Sequence, residues 1–166
     1  MLTHHRRPVC LSIISLDLPI WFTVETAATL YQKDRDRFHL LLNQPPFPTS
    51  EFDLLPEAAL ETDPRDANSN RGLLWLELSP YRAIMTMQGN GKLGYRHFWE
   101  RGVYGITRYW LYSETNSTQG AFRLRNFTRS LVLEGRPLPH TLRVEYELWT
   151  DRLQLGSYVL SLEIHH

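Results

Sequence analysis

The sequence predicts an α+β fold in which one or two N-terminal helices pack on a C-terminal antiparallel meander of about six or seven strands, which can curl into a barrel. Apolar residues before position 70 lie near helical spacing, whereas residues after Gly72 alternate between apolar and polar, with turn signals between the runs. The length fits a single domain, 1–166. We divide it into an N-terminal extension or edge strand (1–22), a helical and acidic loop region (23–70) and an antiparallel sheet (71–166).

The N-terminal part is predicted to be mostly helical. Val9–Leu16 can form a short strand, but the spacing then changes to a period near 3.6 over Val24–Asn43, with Thr23 as the cap and Pro45-Pro46 after the end. Ser50-Glu-Phe-Asp53 resembles a capping box and predicts a short second helix through residue 60. The polar residues 61–70 are expected to form an exposed loop.

The C-terminal part is predicted to be a meander of strands. Gly89-Asn90-Gly91 is a strong hairpin signal between two alternating runs. Gly102 and Gly105 indicate a turn or a bulge before the next strand. The predicted strands before the closing hairpin are Leu73–Leu78, Tyr81–Gln88, Lys92–Glu100, Ile106–Ser113 and Ala121–Leu133.

A closing hairpin over Thr141–Ile164 is the clearest pattern in the chain. Leu142, Val144, Tyr146 and Leu148 alternate with charged residues, which is typical of a half-buried strand. The register stays open, because a one-residue slip exchanges the two faces. A two-residue loop leaves room for a ligand or helix, and a three-residue loop fills that space. The residues beside the apolar row are Leu155, Ser157, Val159 and Ser161 in the first case, and Gln154, Gly156, Tyr158 and Leu160 in the second.

Composition excludes several broad classes of protein. The 18 Lys and Arg residues balance 18 Asp and Glu residues, so the chain as a whole is not adapted to polyanions. A single cysteine, Cys10, cannot form an internal disulfide, and we expect a cytoplasmic location. No segment is long and apolar enough to predict a membrane span. Charge is nevertheless divided, since 82–166 has eleven basic and seven acidic residues whereas 17–81 has five and eleven.

An arginine-rich stretch is the first candidate binding site. Arg123, Arg125 and Arg129 share one face of a predicted strand, and Trp149 lies opposite Arg125 if this strand pairs with the closing hairpin. Arginine interleaved with aromatic residues on a sheet is typical of single-stranded nucleic-acid binding. Ordinary cross-strand ion pairs and cation–π contacts, with Arg129 facing Glu145, fit the same pattern and are favoured. An acidic partner is the second choice, and nucleic acid the third.

Aromatic residues on successive strands are the second candidate. If their faces converge inside a barrel, they line a pocket for a flat apolar ligand with arginines at its mouth. If another element covers them they are core, which is the favoured interpretation. His97 could be a general base or a ligand contact, although a buried structural histidine is the simpler expectation. The residues are Tyr95, His97 and Trp99 on one strand, Trp110 and Tyr112 on the next, and Tyr81, Met85 and Met87 on the one before.

Thr141–Ile164 resembles the terminal strand pair of lipocalin-like proteins, a group that includes the small S-type lyases that attach bilins to phycobiliproteins. The early Gly-x-Trp pattern of such barrels is absent, and no residue role is carried over. The resemblance implies a barrel that carries an amphipathic anionic ligand such as a tetrapyrrole or a lipid.

These observations support three functional hypotheses. The first is a non-enzymatic accessory protein that docks a protein partner through its sheet and arginine-rich face. The second is the lipocalin-like carrier or chaperone-lyase for an amphipathic anion. The third is a small hydrolase or isomerase with His97 in its cavity. The sequence contains no motif for a metal, a cofactor or a catalytic group, so none is predicted.

Overall fold

The computed structural model describes residues 3–19, 21–43, 72–88, 93–111 and 122–166. Strands make up 77% of these residues, and no helix occurs among them. No described helix is therefore long and apolar enough to cross a membrane. The strands are β1 (Thr3–Ser15), β2 (Trp21–Gln32), β3 (Phe38–Asn43), β4 (Leu73–Leu78), β5 (Arg82–Gln88), β6 (Leu93–Glu100), β7 (Tyr104–Leu111), β8 (Phe122–Glu134), β9 (Thr141–Trp149) and β10 (Gln154–Ile164).

The ten strands form a closed antiparallel barrel. Each strand pairs with the next in the chain, and β1 also pairs with β10, with Val9 opposite Ile164. Closure gives each of the ten strands a partner on both sides over part of its length. The turns between β2 and β3, β4 and β5, β6 and β7, and β8 and β9 lie at one end, which we call the lower end. The β1–β2 and β9–β10 turns lie at the upper end.

The hydrophobic core fills the inside of the barrel. Because side chains of a strand alternate between its two faces, every second residue points inward. Leu30, Leu40, Leu76 and Leu160, from four different strands, are fully buried there. Met85 and Met87 join this core from β5, whereas Tyr81 is exposed in the preceding turn.

The predicted α+β class is wrong, because the described residues form an all-β barrel of ten strands. Val24–Asn43, predicted as a helix, is the β2–β3 hairpin, with Ala28 opposite Leu42 and Gln32 opposite Phe38. The apolar residues of this segment fit a period of two as well as one of 3.6, and its Thr, Val, Phe and Tyr content favours strands. Asp34 makes the turn between them, since its Oδ1 accepts a hydrogen bond from the Asp36 amide at 3.1 Å.

The N-terminal segment is a full member of the barrel. Thr3–Ser15 forms β1, which pairs along its length with β2 and, from Val9 onward, with β10. The predicted helix that begins at Ser50 and the loop over 61–70 lie outside the described residues. The hairpin predicted around Gly89–Gly91 has the expected pairing, with Gln88 opposite Gly94, although its turn also lies outside them.

In the closing hairpin, Gly156, Tyr158 and Leu160 share the inward face with the apolar row, as in the register with a three-residue loop. The residue pairs themselves differ from those of both predicted registers. Gly156, Tyr158, Leu160 and Leu162 lie opposite Leu148, Tyr146, Val144 and Leu142, respectively. Trp149 pairs with Gln154 across a connection of four residues, which shifts the pairing by one residue, and a bulge between Gln154 and Gly156 shifts it by one more. Tyr158 and Leu160 therefore fill the space beside the apolar row.

Candidate functional site

Aromatic side chains from β6, β7 and β9 pack together inside the barrel. The His97 ring stacks on Trp99, with centroids 5.1 Å apart and planes 6° apart, and meets the edge of Tyr109 at 5.7 Å. Tyr146 contacts Trp99 from the opposite strand, with ring centroids 5.0 Å apart. Tyr95 packs on the other side of His97. The structure thus brings Tyr95, His97 and Trp99 together, within the core.

A chain of hydrogen bonds connects His97 to the neighbouring strands. His97 lies opposite Thr107, and its Nδ1 is 3.0 Å from the Thr107 Oγ1. Asn126 of β8 donates from Nδ2 to the same hydroxyl at 2.7 Å. Because Thr107 accepts from Asn126, its own proton can be donated to Nδ1, and we assign the neutral His97 tautomer with hydrogen on Nε2.

Burial keeps this cluster uncharged at neutral pH. Desolvation lowers the pKa of His97 to about 3, and only 5% of the residue is exposed. Burial also raises the pKa of Tyr109 to about 12 and that of Tyr146 well above its usual value. A neutral histidine with so low a pKa is a weak base near pH 7. The chemistry of the cluster therefore favours a structural role over acid–base catalysis.

The same wall of the barrel carries buried polar atoms whose hydrogen-bonding capacity is unused. Among the described residues, Trp99 Nε1, Asn126 Oδ1 and Thr128 Oγ1 have no hydrogen-bond partner. Trp99, Asn126 and Thr128 are all fully buried. Each unmet buried group costs about 1–3 kcal/mol, so this wall reduces the stability that an entirely apolar core would provide.

Arg125 and Trp149 lie on the outer surface, where the register places them directly opposite each other, as predicted. The Arg125 Nη2 donates to the carbonyl of Asp151 at 2.8 Å, and its guanidinium lies 5.5 Å from the ring centroid of Tyr104. The cation–π partner is therefore Tyr104. These contacts give Arg125 a structural role at the end of β9.

Arg129 is also held in place, but not by the predicted partner. A bulge between Thr128 and Ser130 displaces Arg129, so that Ser130 lies opposite Glu145. Arg129 Nη2 instead contacts Glu147 Oε1 at 2.6 Å. The predicted pairing of Arg129 with Glu145 is wrong, because alternation within one strand does not reveal a bulge.

Replacing Arg129 with methionine should destabilise the protein, because it leaves the carboxylate of Glu147 with fewer partners. Glu147 is 6% exposed, and its remaining contact is a 3.1 Å hydrogen bond from Trp149 Nε1. We expect a loss of about 2 kcal/mol, measured by urea unfolding. Arg143→Met, which breaks an exposed pair with Glu145, is the matched control and should cost less than about 0.5 kcal/mol. Equal losses for the two variants would contradict this account.

Three arginines form a cross-strand row on the outer surface of β6, β7 and β8. Arg96 lies opposite Arg108, and Arg108 lies opposite Arg123. All three are exposed, and none makes an ion pair or a side-chain hydrogen bond with another described residue. Like charges directly opposite each other on a sheet are destabilising. We call Arg96, Arg108 and Arg123 the arginine ladder.

The binding residues predicted from sequence therefore do not form one site, but are divided between the aromatic core and the outer surface. Arg123 is the predicted arginine that joins the ladder, and Arg96 and Arg108 were missed. The alternation of side chains along a strand could have identified Arg96. It lies between Tyr95 and His97 in sequence, so its side chain points to the opposite face of β6. The backbone of Trp110 lies in β7, opposite Gly94, and Tyr112 lies outside the described residues.

Neither metal chemistry nor thiol chemistry is indicated in the described part of the chain. No group of three or more His, Cys, Asp or Glu side chains there could hold a metal ion. Burial, and then the charges of Glu25 and Glu163, raise the pKa of the Cys10 thiol, which makes it a poor nucleophile.

Comparisons with known proteins identify the fold. No family model and no curated protein sequence matches this chain. Among solved structures, the crystal structure of the ywiB protein from Bacillus subtilis is similar, with a TM-score of 0.55. The two sequences are 13% identical, and the match covers 97% of this chain and 94% of that one. At this identity the match supports the barrel fold alone.

Proposed function

We propose that this protein is a non-enzymatic binding protein that docks an acidic protein segment on the outer face of β6, β7 and β8. The observation that carries the proposal is the arginine ladder, in which Arg96, Arg108 and Arg123 are direct cross-strand neighbours. Adjacent strands are about 4.8 Å apart, so three guanidinium groups extend from a strip about 10 Å wide.

The cost of the ladder in the free protein argues for a bound anion. A sheet gains stability when opposite charges lie on directly paired residues. In the ladder, two successive pairs place arginine opposite arginine, which lowers the stability of the free protein. Carboxylates placed between the guanidinium groups would relieve the repulsion and form charge-assisted, bidentate hydrogen bonds. Arg125 and Arg129 have protein partners, whereas the ladder arginines have none among the described residues.

The surroundings of the ladder favour a protein over a nucleic acid. Ile106 is the neighbour of Arg108 on the outer side of β7, and Tyr104 is the next outward residue along the strand; they are 46% and 56% exposed, respectively. Arginine on a face that also exposes aliphatic and aromatic side chains is typical of protein interfaces. Among the side chains that the structure describes, no aromatic ring lies between the ladder arginines on which successive bases could stack. The zero net charge of the chain also gives a polyanion little long-range attraction.

The experiment is fluorescence anisotropy of a fluorescein-labelled deca-glutamate peptide at 50 mM and 300 mM salt. Replacing Arg96, Arg108 and Arg123 together with glutamine should weaken peptide binding by about tenfold or more, since each charged hydrogen bond contributes about 1.5–3 kcal/mol at most. The variant should remain folded, and its thermal midpoint at low salt should rise by up to about 3 °C, because repulsion is removed.

A matched control separates docking at the ladder from general attraction. Replacing Arg6, Arg143 and Arg152 with glutamine changes the net charge equally, and these three residues are exposed elsewhere on the protein. The control should change the affinity by less than twofold. Equal losses in the two triple variants would overturn the proposal. Tighter, ladder-dependent binding of a labelled ten-residue oligothymidine would replace the protein partner with a nucleic acid.

A further inference from the structure

A cleft opens at the lower end of the barrel, and its lining is separate from the aromatic cluster and from the arginine ladder. Its volume is about 680 Å³, within the range of about 300–1,000 Å³ that is typical of small-molecule sites. The mouth of a β-barrel is also a common place for such a site. Apolar groups provide most of its lining, with Phe38, Pro80, Leu133 and Pro137 among them. We call this feature the mouth cleft.

Two turns from different sides of the barrel place arginines at the edge of the mouth cleft. Arg35 belongs to the β2–β3 turn and Arg136 to the β8–β9 turn, and both are exposed. The shorter path around the barrel between these turns crosses β1 and β10. The two arginines therefore reach the same cleft from two separate turns. Neither makes an ion pair with another described residue.

The acidic residues near the mouth cleft do not cancel both arginines at its opening. Glu134 lies opposite Thr141, and its Oε2 is 3.5 Å from the Thr141 hydroxyl, while its neighbour Leu133 packs against the core. Alternation therefore directs the Glu134 side chain to the outer surface. Asp36 is exposed in the same turn as Arg35. Arg35, Asp36, Glu134 and Arg136 all line the cleft, so its formal charges balance. The Glu134 carboxylate is directed towards Thr141 on the outer surface, which leaves the two arginines and Asp36 to set the charge at the opening.

We infer that the mouth cleft binds a small amphipathic anion, with its apolar body on the Phe38 and Leu133 side and its single anionic group between Arg35 and Arg136. Phe38 and Leu133 provide the apolar contact that a hydrocarbon chain or a flat ring needs. The arginines suit a carboxylate or a phosphate, because the guanidinium fork matches both groups. This site is independent of the arginine ladder, which lies on the outer face of β6, β7 and β8.

The experiment is isothermal titration calorimetry with four probes that share a twelve-carbon chain, each kept below its micelle-forming concentration. The probes are dodecanoate, dodecyl phosphate, the neutral dodecanol and the cationic dodecyltrimethylammonium. Dodecanoate or dodecyl phosphate should bind with one-to-one stoichiometry, and about tenfold more tightly than dodecanol. The stronger of the two anions identifies the head group as that of a fatty acid or of a phosphorylated lipid.

Variants and chemical-shift mapping test the location. Arg136→Gln and Arg35→Gln should each weaken binding of the anion by about fivefold to tenfold, and should leave the affinity for dodecanol unchanged. Arg6→Gln is the matched control and should have no effect. In amide spectra, the shifts on titration should be largest at Gln32, Leu133 and Gly135.

Three results would overturn the inference. The first is the absence of saturable binding by either anion. The second is equal affinity for dodecanol and the anions, with no effect of Arg35→Gln or Arg136→Gln. The third is a preference for the cation, which would make Asp36 the dominant charge. The triple ladder variant should bind the anions as the wild type does, so this test and the peptide test can fail separately.

Discussion

Replacing Gly105 with alanine is expected to destabilise the barrel by about 3 kcal/mol or more, a large share of the stability of a small domain. A Cβ at this position would lie less than 3.0 Å from the carbonyl oxygen of Phe98 and 3.1 Å from Asn126 Oδ1. The carbonyl oxygen belongs to the backbone of β6 and cannot rotate away as a side chain would. To accept the methyl group, β7 has to move away from β6, next to the bond between His97 and Thr107.

Urea unfolding of the alanine variants at Gly105 and Gly102 would measure this effect. Gly102 has a positive φ of 74°, and no heavy atom of another described residue, apart from its two chain neighbours, lies within 4 Å of the position that a Cβ would occupy. Gly102→Ala therefore isolates backbone strain, at about 1 kcal/mol. The Gly105 variant should lose at least twice as much free energy of unfolding. Adding Phe98→Leu should not restore stability, because the main clash is with the backbone. A loss at Gly105 no greater than that at Gly102 would contradict the close approach of β6 and β7.

Acidification from pH 6.5 towards pH 3 is expected to reduce the stability of the protein because His97 is buried and neutral. The pKa of His97 in the folded protein is about 3, compared with 6.5 for an ordinary histidine. Between these values the unfolded chain binds a proton that the folded protein does not, so the free energy of unfolding falls as the pH falls. Over the whole window the loss from this one group is on the order of 5 kcal/mol.

The measurement is urea unfolding at pH 7, 6, 5 and 4 for the wild type and for His97→Phe. Phenylalanine keeps the ring that stacks on Trp99 but cannot be protonated, so the variant should show a shallower decrease. His39→Asn is the comparison, because its pKa is also lowered by partial burial, although less strongly. It should change the pH dependence less than His97→Phe does. An unchanged pH dependence in the His97→Phe variant would show that His97 is protonated in the folded state.

Strand pairing between neighbours in the chain is the part of the fold that local pattern predicts well. The strands predicted after Gly72 are present, and the pairing around Gly89–Gly91 is correct. Hairpins depend on the alternation of two adjacent runs and on the turn between them, and all of this is local. The helix predicted over Val24–Asn43 is wrong because local pattern is ambiguous there. The apolar residues of this segment fit both the strand period of two and the helical period of 3.6. Pairing with β1 and β4 decides between them.

The candidate sites were harder to predict because the ladder depends on the exact register of successive strand pairs, and the mouth cleft depends on turns that are distant in sequence. Alternation alone shows that Arg96 points away from His97, but it does not show that Arg108 and Arg123 lie in the same row. That row requires the register of two successive strand pairs. The mouth cleft is less predictable still, since Arg35 and Arg136 are about one hundred residues apart in sequence and line the same cleft only at the end of a closed barrel.

The sequence by itself determined where most strands lie and which of their side chains share a face, because a period of two is written into each segment separately. The tertiary structure decided what each face meets. Closure of β1 on β10 made the row of Tyr95, His97 and Trp99 a core, where burial removes the charge of His97. It also left the opposite row exposed, with three arginines side by side. The side of a strand to which a side chain points is a local property of the chain. Burial and charge pairing depend on which strands become neighbours and in which register.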